Sequence, residues 1–226
     1  MTVGRMIRAA MVGACVAAAT LSAGCNIVGP IIYFAHGESD IPAVYKLPPD
    51  KAAVIFVDDR ESKVTSRQTR ALIGETAERE MLTNGASKDM IQCRNALQAA
   101  MRERYGKPLT IVEIGKAVKA QIVIYATIDT FTLSGDNSTY SPLANLRIKV
   151  IDVETEKRIF PGPDDPVEWY PLKVDIGGQA AETPSSVSDM MQAEQSLAKR
   201  AGTALGRLFY AHQPPMDPRR LNDAGK

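Results

Sequence analysis

Between Gln121 and Leu133 the chain reads QIVIYATIDTFTL. Ile122, Ile124, Ala126 and Ile128 alternate with Val123, Tyr125, Thr127 and Asp129. A period of two in β-branched and aromatic residues commits this stretch to a strand. A second alternating run spans Leu143 to Val153, with Leu146, Ile148 and Val150 on one face and Arg147 and Lys149 on the other. Upstream, Ala52–Val57 is continuously apolar before Asp58-Asp59-Arg60, as expected of a strand buried on both faces.

Helical signals separate these strands. Thr65-Ser66-Arg67-Gln68 has capping-box spacing, and Leu72, Ile73, Thr76, Ala77 and Met81 follow it at helical intervals to a stop at Asn84-Gly85. A second helix is expected from about Ser87 to Arg104, its stripe formed by Met90, Cys93, Leu97, Ala100 and Met101. Thr110-Ile111-Val112-Glu113 opens a short helix, and Ser186-Val187-Ser188-Asp189 opens a long one to about Ala211. Residues 134–142 form a polar loop, Asp152–Lys157 a turn, Arg158–Phe160 a return strand and Leu172–Ile176 an edge strand. Pro161–Pro171 holds four prolines and the single tryptophan, Trp169, and is expected to leave the sheet as an excursion. This order predicts an α/β (α+β) domain over residues 51–212: a single mixed sheet of three to five strands packed by three to four helices.

The N-terminus carries an address. Arg5 and Arg8 precede the small, apolar stretch Ala9–Cys25, the pattern of a secretory signal. Its end, Leu21-Ser22-Ala23-Gly24-Cys25, resembles the bacterial lipobox, although Ser22 stands where Leu is usual. Cys15 offers a rival site but leaves only Ala9–Ala14 as the apolar core, shorter than the roughly 7–15 residues such cores need. The expectation is therefore a signal peptide over 1–24, a palmitate-type lipid anchor at Cys25, a tether over 25–50 and a disordered tail over 213–226. Asn26 rather than Asp after Cys25 favours the outer membrane over the inner.

Composition bounds the chemistry. The chain has 226 residues, with 27 basic and 26 acidic side chains. The signal takes two arginines and no acid, so the remainder is nearly neutral and lacks the basic excess of a nucleic-acid binder. With Cys15 cleaved off and Cys25 acylated, Cys93 has no disulfide partner and is expected as a buried, inert thiol. His36 and His212, the only histidines, share no metal-ligand spacing with Cys, Asp or Glu, so no metal or cofactor is expected. Asp58-Asp59 ends a strand where α/β proteins often place ligand groups, but solvated carboxylates at the start of a helix are the plainer expectation. Gly177-Gly178 lacks the lysine of a phosphate-binding loop, and Asp164-Asp165 reads as a turn. Trp169-Tyr170 is the candidate recognition pair, since aromatic anchors dominate binding surfaces.

The unit Ile111–Phe160 reads IVEIGKAVKAQIVIYATIDTF, a polar loop, then ANLRIKVIDVETEKRIF. It resembles the bacterial envelope lipoproteins that share the amino-terminal fold of the translocation protein TolB. Curli-secretion (CsgG-like) and penicillin-binding-protein activator lipoproteins belong to that group. Lys119-Ala120-Gln121 stands where the group has Gly-Ala-Asp, and Asp152-Val153-Glu154-Thr155 matches its Asp-x-x-Thr turn. The resemblance covers about residues 51–211. It implies a TolB-amino-terminal-like fold and a periplasmic, membrane-anchored, non-enzymatic module that binds an envelope protein. A homo-oligomeric secretion accessory without a barrel and a periplasmic hydrolase are the alternatives. The 134–142 loop is too short, and 161–171 too rich in proline, to supply the long hairpins of a curli-type pore.

Overall fold

The computed structural model describes residues 40–64, 66–104, 107–134, 140–175 and 183–214. Cys15, Cys25, His36, Thr65, Gly177-Gly178, the 1–24 signal and most of the tether and tail lie outside them. The described residues fall into two units, Pro42–His212 and the few described residues outside it, 40–41 and 213–214.

The Pro42–His212 unit is a mixed α/β fold. Its strands are β1 (Ala53–Asp58), β2 (Met90–Ile91), β3 (Glu103–Arg104), β4 (Lys107–Pro108), β5 (Ile122–Ser134), β6 (Tyr140–Asp152), β7 (Lys157–Phe160) and β8 (Tyr170–Asp175). Its helices are α1 (Arg67–Thr83), α2 (Cys93–Ala100), α3 (Ile111–Val118) and α4 (Val187–Arg207). Among the described residues, six strands form one sheet, in the order β2-β1-β5-β6-β7 with β8 also on β6, while β3 and β4 pair separately. β1 runs parallel to β2 and β5; β6 is antiparallel to β5, β7 and β8.

The sheet thus exceeds the expected three to five strands. The extra strand, β2, comes from a correction to the expected 87–104 helix. Met90 and Ile91 pair with Ala53 and Val54, so the helix starts at Cys93 and ends at Ala100. β1 offered an open edge, and pairing satisfies backbone groups that a frayed first helical turn leaves open. Met101, expected on the buried stripe, lies beyond the helix and is exposed. The first cap also moves by one residue: Ser66, not Thr65, accepts the Thr69 amide at 3.0 Å. The boxes at Thr110/Glu113 and Ser186/Asp189 form as expected. The folded unit also takes in 42–50, the last part of the expected tether: Leu47 is buried, and Tyr45 lies 5.0 Å from the Phe160 ring.

Both faces of the sheet are covered, unequally. Ile55, Val57, Ile122, Ile124, Leu146 and Ile148 face α1 and α4 through Ile73, Met81, Leu197 and Leu205. Val54, Phe56, Val123 and Tyr125 face α2 and α3 through Ala96, Ala99 and Ile114. α1 and α4 approach closely because α4 carries Gly202. A Cβ there would stand 2.5 Å from the Ile73 carbonyl oxygen and 2.6 Å from Thr76 Cβ. The turn after β6 depends on Asp152. Its Oδ1 accepts the Glu154 and Thr155 amides at 3.0 and 2.9 Å, and its Oδ2 pairs with the Lys51 ammonium. Burial pushes this carboxyl up, but Lys51 and the Thr155 amide outweigh that and hold it below the usual carboxylate range. Lys119 ends α3 in the left-handed region at φ 62°, the position where the resembled group has glycine.

Two outcomes follow from this packing. Gly202→Ala gains about 1 kcal/mol of helix propensity, but a methyl against backbone oxygen costs about 1–3 kcal/mol of overpacking. Urea unfolding of the intact chain should therefore show net destabilisation, with Ser196→Ala on the exposed face of α4 within about 0.5 kcal/mol of wild type. Asp152 has a folded pKa below its unfolded value of about 3.9, so its contribution is complete above that value and is lost as pH falls through the folded one. The stability gap between wild type and Asp152→Asn should accordingly be constant near neutrality and shrink below about pH 4.

Candidate functional site

Strand register assembles a polar cluster at the C-terminal end of β1, on the face that α2 and α3 only partly cover. Phe56 opposes Tyr125, which opposes Lys149. The next row on that face is Asp58, Thr127 and Arg147. Arg147 in turn opposes Pro171 of β8, so Trp169, two residues earlier, falls on the same face beside Lys149. Irregular register between Ile128 and Thr130 places Asp129 at a bulge, a device that re-aims a side chain.

Asp58, Tyr125, Thr127, Asp129, Arg147, Lys149 and Trp169 border a cavity of about 320 Å³, with Arg60, Glu61, Ile111 and Ile128 completing the wall. Asp58, 8% exposed, accepts from the Tyr125 hydroxyl at 2.6 Å and from Arg60 Nε at 2.8 Å. Burial, reinforced by the Asp58 carboxylate, drives the Tyr125 phenol well above its ordinary range, so it remains a donor. Arg60 is pushed up by the same hydrogen bond to Asp58. Arg147 Nε reaches the Asp129 carboxylate at 2.7 Å, and its guanidinium lies 5.2 Å from the Trp169 ring. Lys149 Nζ lies 4.2 Å from the Trp169 centroid and 5.4 Å from that of Tyr125. Burial lowers the Lys149 pKa; Glu168 opposes this, while the nearby cations Arg158 and Arg60 add to it.

Chemically, this is an aromatic cleft in which, among the described residues, the Lys149 ammonium pairs with no carboxylate. Asp58 and Asp129 are each held by a guanidinium, and the phenol is locked as a donor. Among the described residues, no group of three or more His, Cys, Asp and Glu side chains converges to hold a metal ion.

The residues singled out from sequence fall in different places. Trp169 lines the cleft, half-buried, with its ring 5.7 Å from that of Tyr125. Tyr170 opens β8, turns to the opposite face and packs 5.4 Å from the Phe160 ring, so the two aromatics do not form one patch. Asp58 is buried rather than solvated, because Tyr125 and Arg60 supply the bonds that water would give. Asp59 caps the following loop through the Lys63 and Val64 amides at 2.7 and 2.9 Å. Asp165 closes a turn on the Gly162 amide. His212 contacts the Tyr210 carbonyl at 3.2 Å. Cys93 is 1% exposed and its thiol is pushed up to about 12, chiefly by burial and then by Glu78, which makes it inert. Tyr125, Arg147 and Lys149 were missed as site residues. Alternation placed each on one face of its strand; only the register shows that these faces meet.

No protein-family model matches the chain, and no curated protein matches it in sequence. Among solved structures it is similar to the PelC dodecamer from Paraburkholderia phytofirmans, at 12% identity, 76% of this chain, 95% of that one and a TM-score of 0.41. It is also similar to lipoprotein GNA1162 from Neisseria meningitidis, at 9% identity, 66% and 96% coverage and a TM-score of 0.37. The LpoB C-terminal domain from Escherichia coli is 16% identical, with 65% and 93% coverage and a TM-score of 0.33. At these values no property of those proteins transfers to this one.

The Asp58–Tyr125 bond is testable by itself. Tyr125→Phe leaves a buried carboxylate with one partner fewer, and urea unfolding should show a loss of about 1–3 kcal/mol, with the far-ultraviolet spectrum unchanged.

Proposed function

We propose that this chain is a lipid-anchored protein of the bacterial cell envelope, tethered through acylated Cys25 with its folded unit in the periplasm, and that the outer membrane is its membrane. It acts without catalysis, as a protein-interaction or assembly module, and docks its partner on the Trp169 face. The secretory signal and the lipobox-like ending at Cys25 support the location. Two or more acyl chains hold stably to a bilayer, at about 0.8 kcal/mol per buried CH₂. Among the described residues no helix is long and apolar enough to cross a membrane.

One observation carries the docking surface: Trp169 lies half-buried over the uncovered part of the sheet, between the cations of Arg147 and Lys149. A tryptophan held between charged neighbours in a cleft is the profile of a binding anchor. The β8 edge is a poorer docking surface, since Pro171 removes a donor and Lys173 and Asp175 place charges along it.

A photo-crosslinking residue at Val167, which is exposed, tests both parts in cells. The intact chain should capture a discrete envelope protein from Val167 and not from Leu82, which lies elsewhere on the surface. Trp169→Ala should abolish the capture, and Cys25→Ser should move the chain out of the membrane fraction. Capture unaffected by Trp169→Ala would reject the docking face; a membrane-bound Cys25→Ser chain would reject the anchor.

A further inference from the structure

Among the described residues, the charged groups that line the cleft have partners in the chain, apart from Lys149. Arg60 pairs with Asp58, Arg147 with Asp129, and Glu61 with Lys63 at 3.2 Å. Arg158 donates to the carbonyls of Val167 and Gly162 at 3.4 and 3.2 Å and so holds the loop that carries Trp169. Lys149 is half-buried against two aromatic rings, and among the described residues no carboxylate pairs with it. Glu168 is near enough to act on it electrostatically but makes no ion pair with it. Ring faces stabilise an ammonium only partly, and a cation withdrawn from water without a counter-ion is costly.

We propose that this cleft is a carboxylate-binding site: Lys149 takes the carboxylate of a polypeptide partner, and Trp169, Tyr125 and Ile111 pack the apolar group beside it. This rests on the reading of the Trp169 face as a docking surface and names the chemistry it recognises. The charge of the ligand follows from the lining. A cation is repelled by Lys149 and its arginine neighbours. A dianion such as a phosphate monoester meets Asp58, Glu61 and Asp129, which border the same cavity. A neutral group leaves the ammonium unpaired. A single negative charge with an apolar flank pairs Lys149 and meets less repulsion from those acids than a dianion does. The volume, about 320 Å³, suits one side chain and its flanking backbone rather than a large cofactor.

Trp169 is the only tryptophan, so its fluorescence reports this site in the intact chain. N-acetyl-L-phenylalanine should change its emission saturably. The corresponding amide, and the acid on Lys149→Met, should each bind about tenfold or more weakly, as expected for loss of a charge-assisted bond. Lys149→Arg should retain binding, and phenyl phosphate should bind less well than the acid. Equal binding of acid and amide, which needs no variant to fold, would overturn the site, as would tighter binding of phenyl phosphate. Cross-linking from Val167 separates this from the docking reading. Capture lost in Trp169→Ala but intact in Lys149→Met overturns the carboxylate and leaves the docking face. Saturable acid binding without any Trp169-dependent capture overturns the polypeptide source.

Discussion

The fold depends on burying β1 on both faces while pairing it on both edges. All six of its residues are buried, and β2 and β5 take its backbone groups in parallel register. A strand in that position needs two layers of helix, which α1 with α4 and α2 with α3 supply. Parallel pairing with β5 also requires a long crossover, and the chain between them supplies α1, β2, α2 and α3. Truncating Ile55, which has no exposed surface, would by general experience cost about 2–5 kcal/mol.

Two small features let the layers close around that strand. Gly202 allows α4 to reach the backbone of α1, and a Gly115 Cβ would meet Val123 Cγ2 at 2.8 Å, so α3 needs its glycine to lie flat on β5. At the other end, Asp152 ties the β6–β7 turn to Lys51, just before β1. The Asp-x-x-Thr turn is thus a join between the sheet's first strand and its hairpin.

The cleft arises because the two helical layers are unequal. α2 and α3 are short, eight residues each, and cover the sheet only as far as Phe56 and Tyr125. Beyond them the same face turns polar, and the loop before β8 folds Trp169 back over it. Asp58 and Asp129 pair with Arg60 and Arg147, and among the described residues no carboxylate pairs with Lys149. Spacing along the chain conceals this arrangement, since Asp58, Tyr125, Lys149 and Trp169 belong to four separate segments.

Local physics was legible before any fold was known. Two of the capping boxes, the long antiparallel strands, the buried first strand and the inert Cys93 follow from periodicity and side-chain chemistry within a few residues. The expected helix over 87–104 failed where a tertiary partner competed: β1 offered Met90 and Ile91 a ladder that no local signal encodes. The cap of the first helix fell on Ser66, one residue after the expected position. Burial of Asp58, the division of Trp169 from Tyr170 and the isolation of Lys149 were decided by register and by the reach of short helices. Those are relations between segments, and the sequence states only what lies within each one.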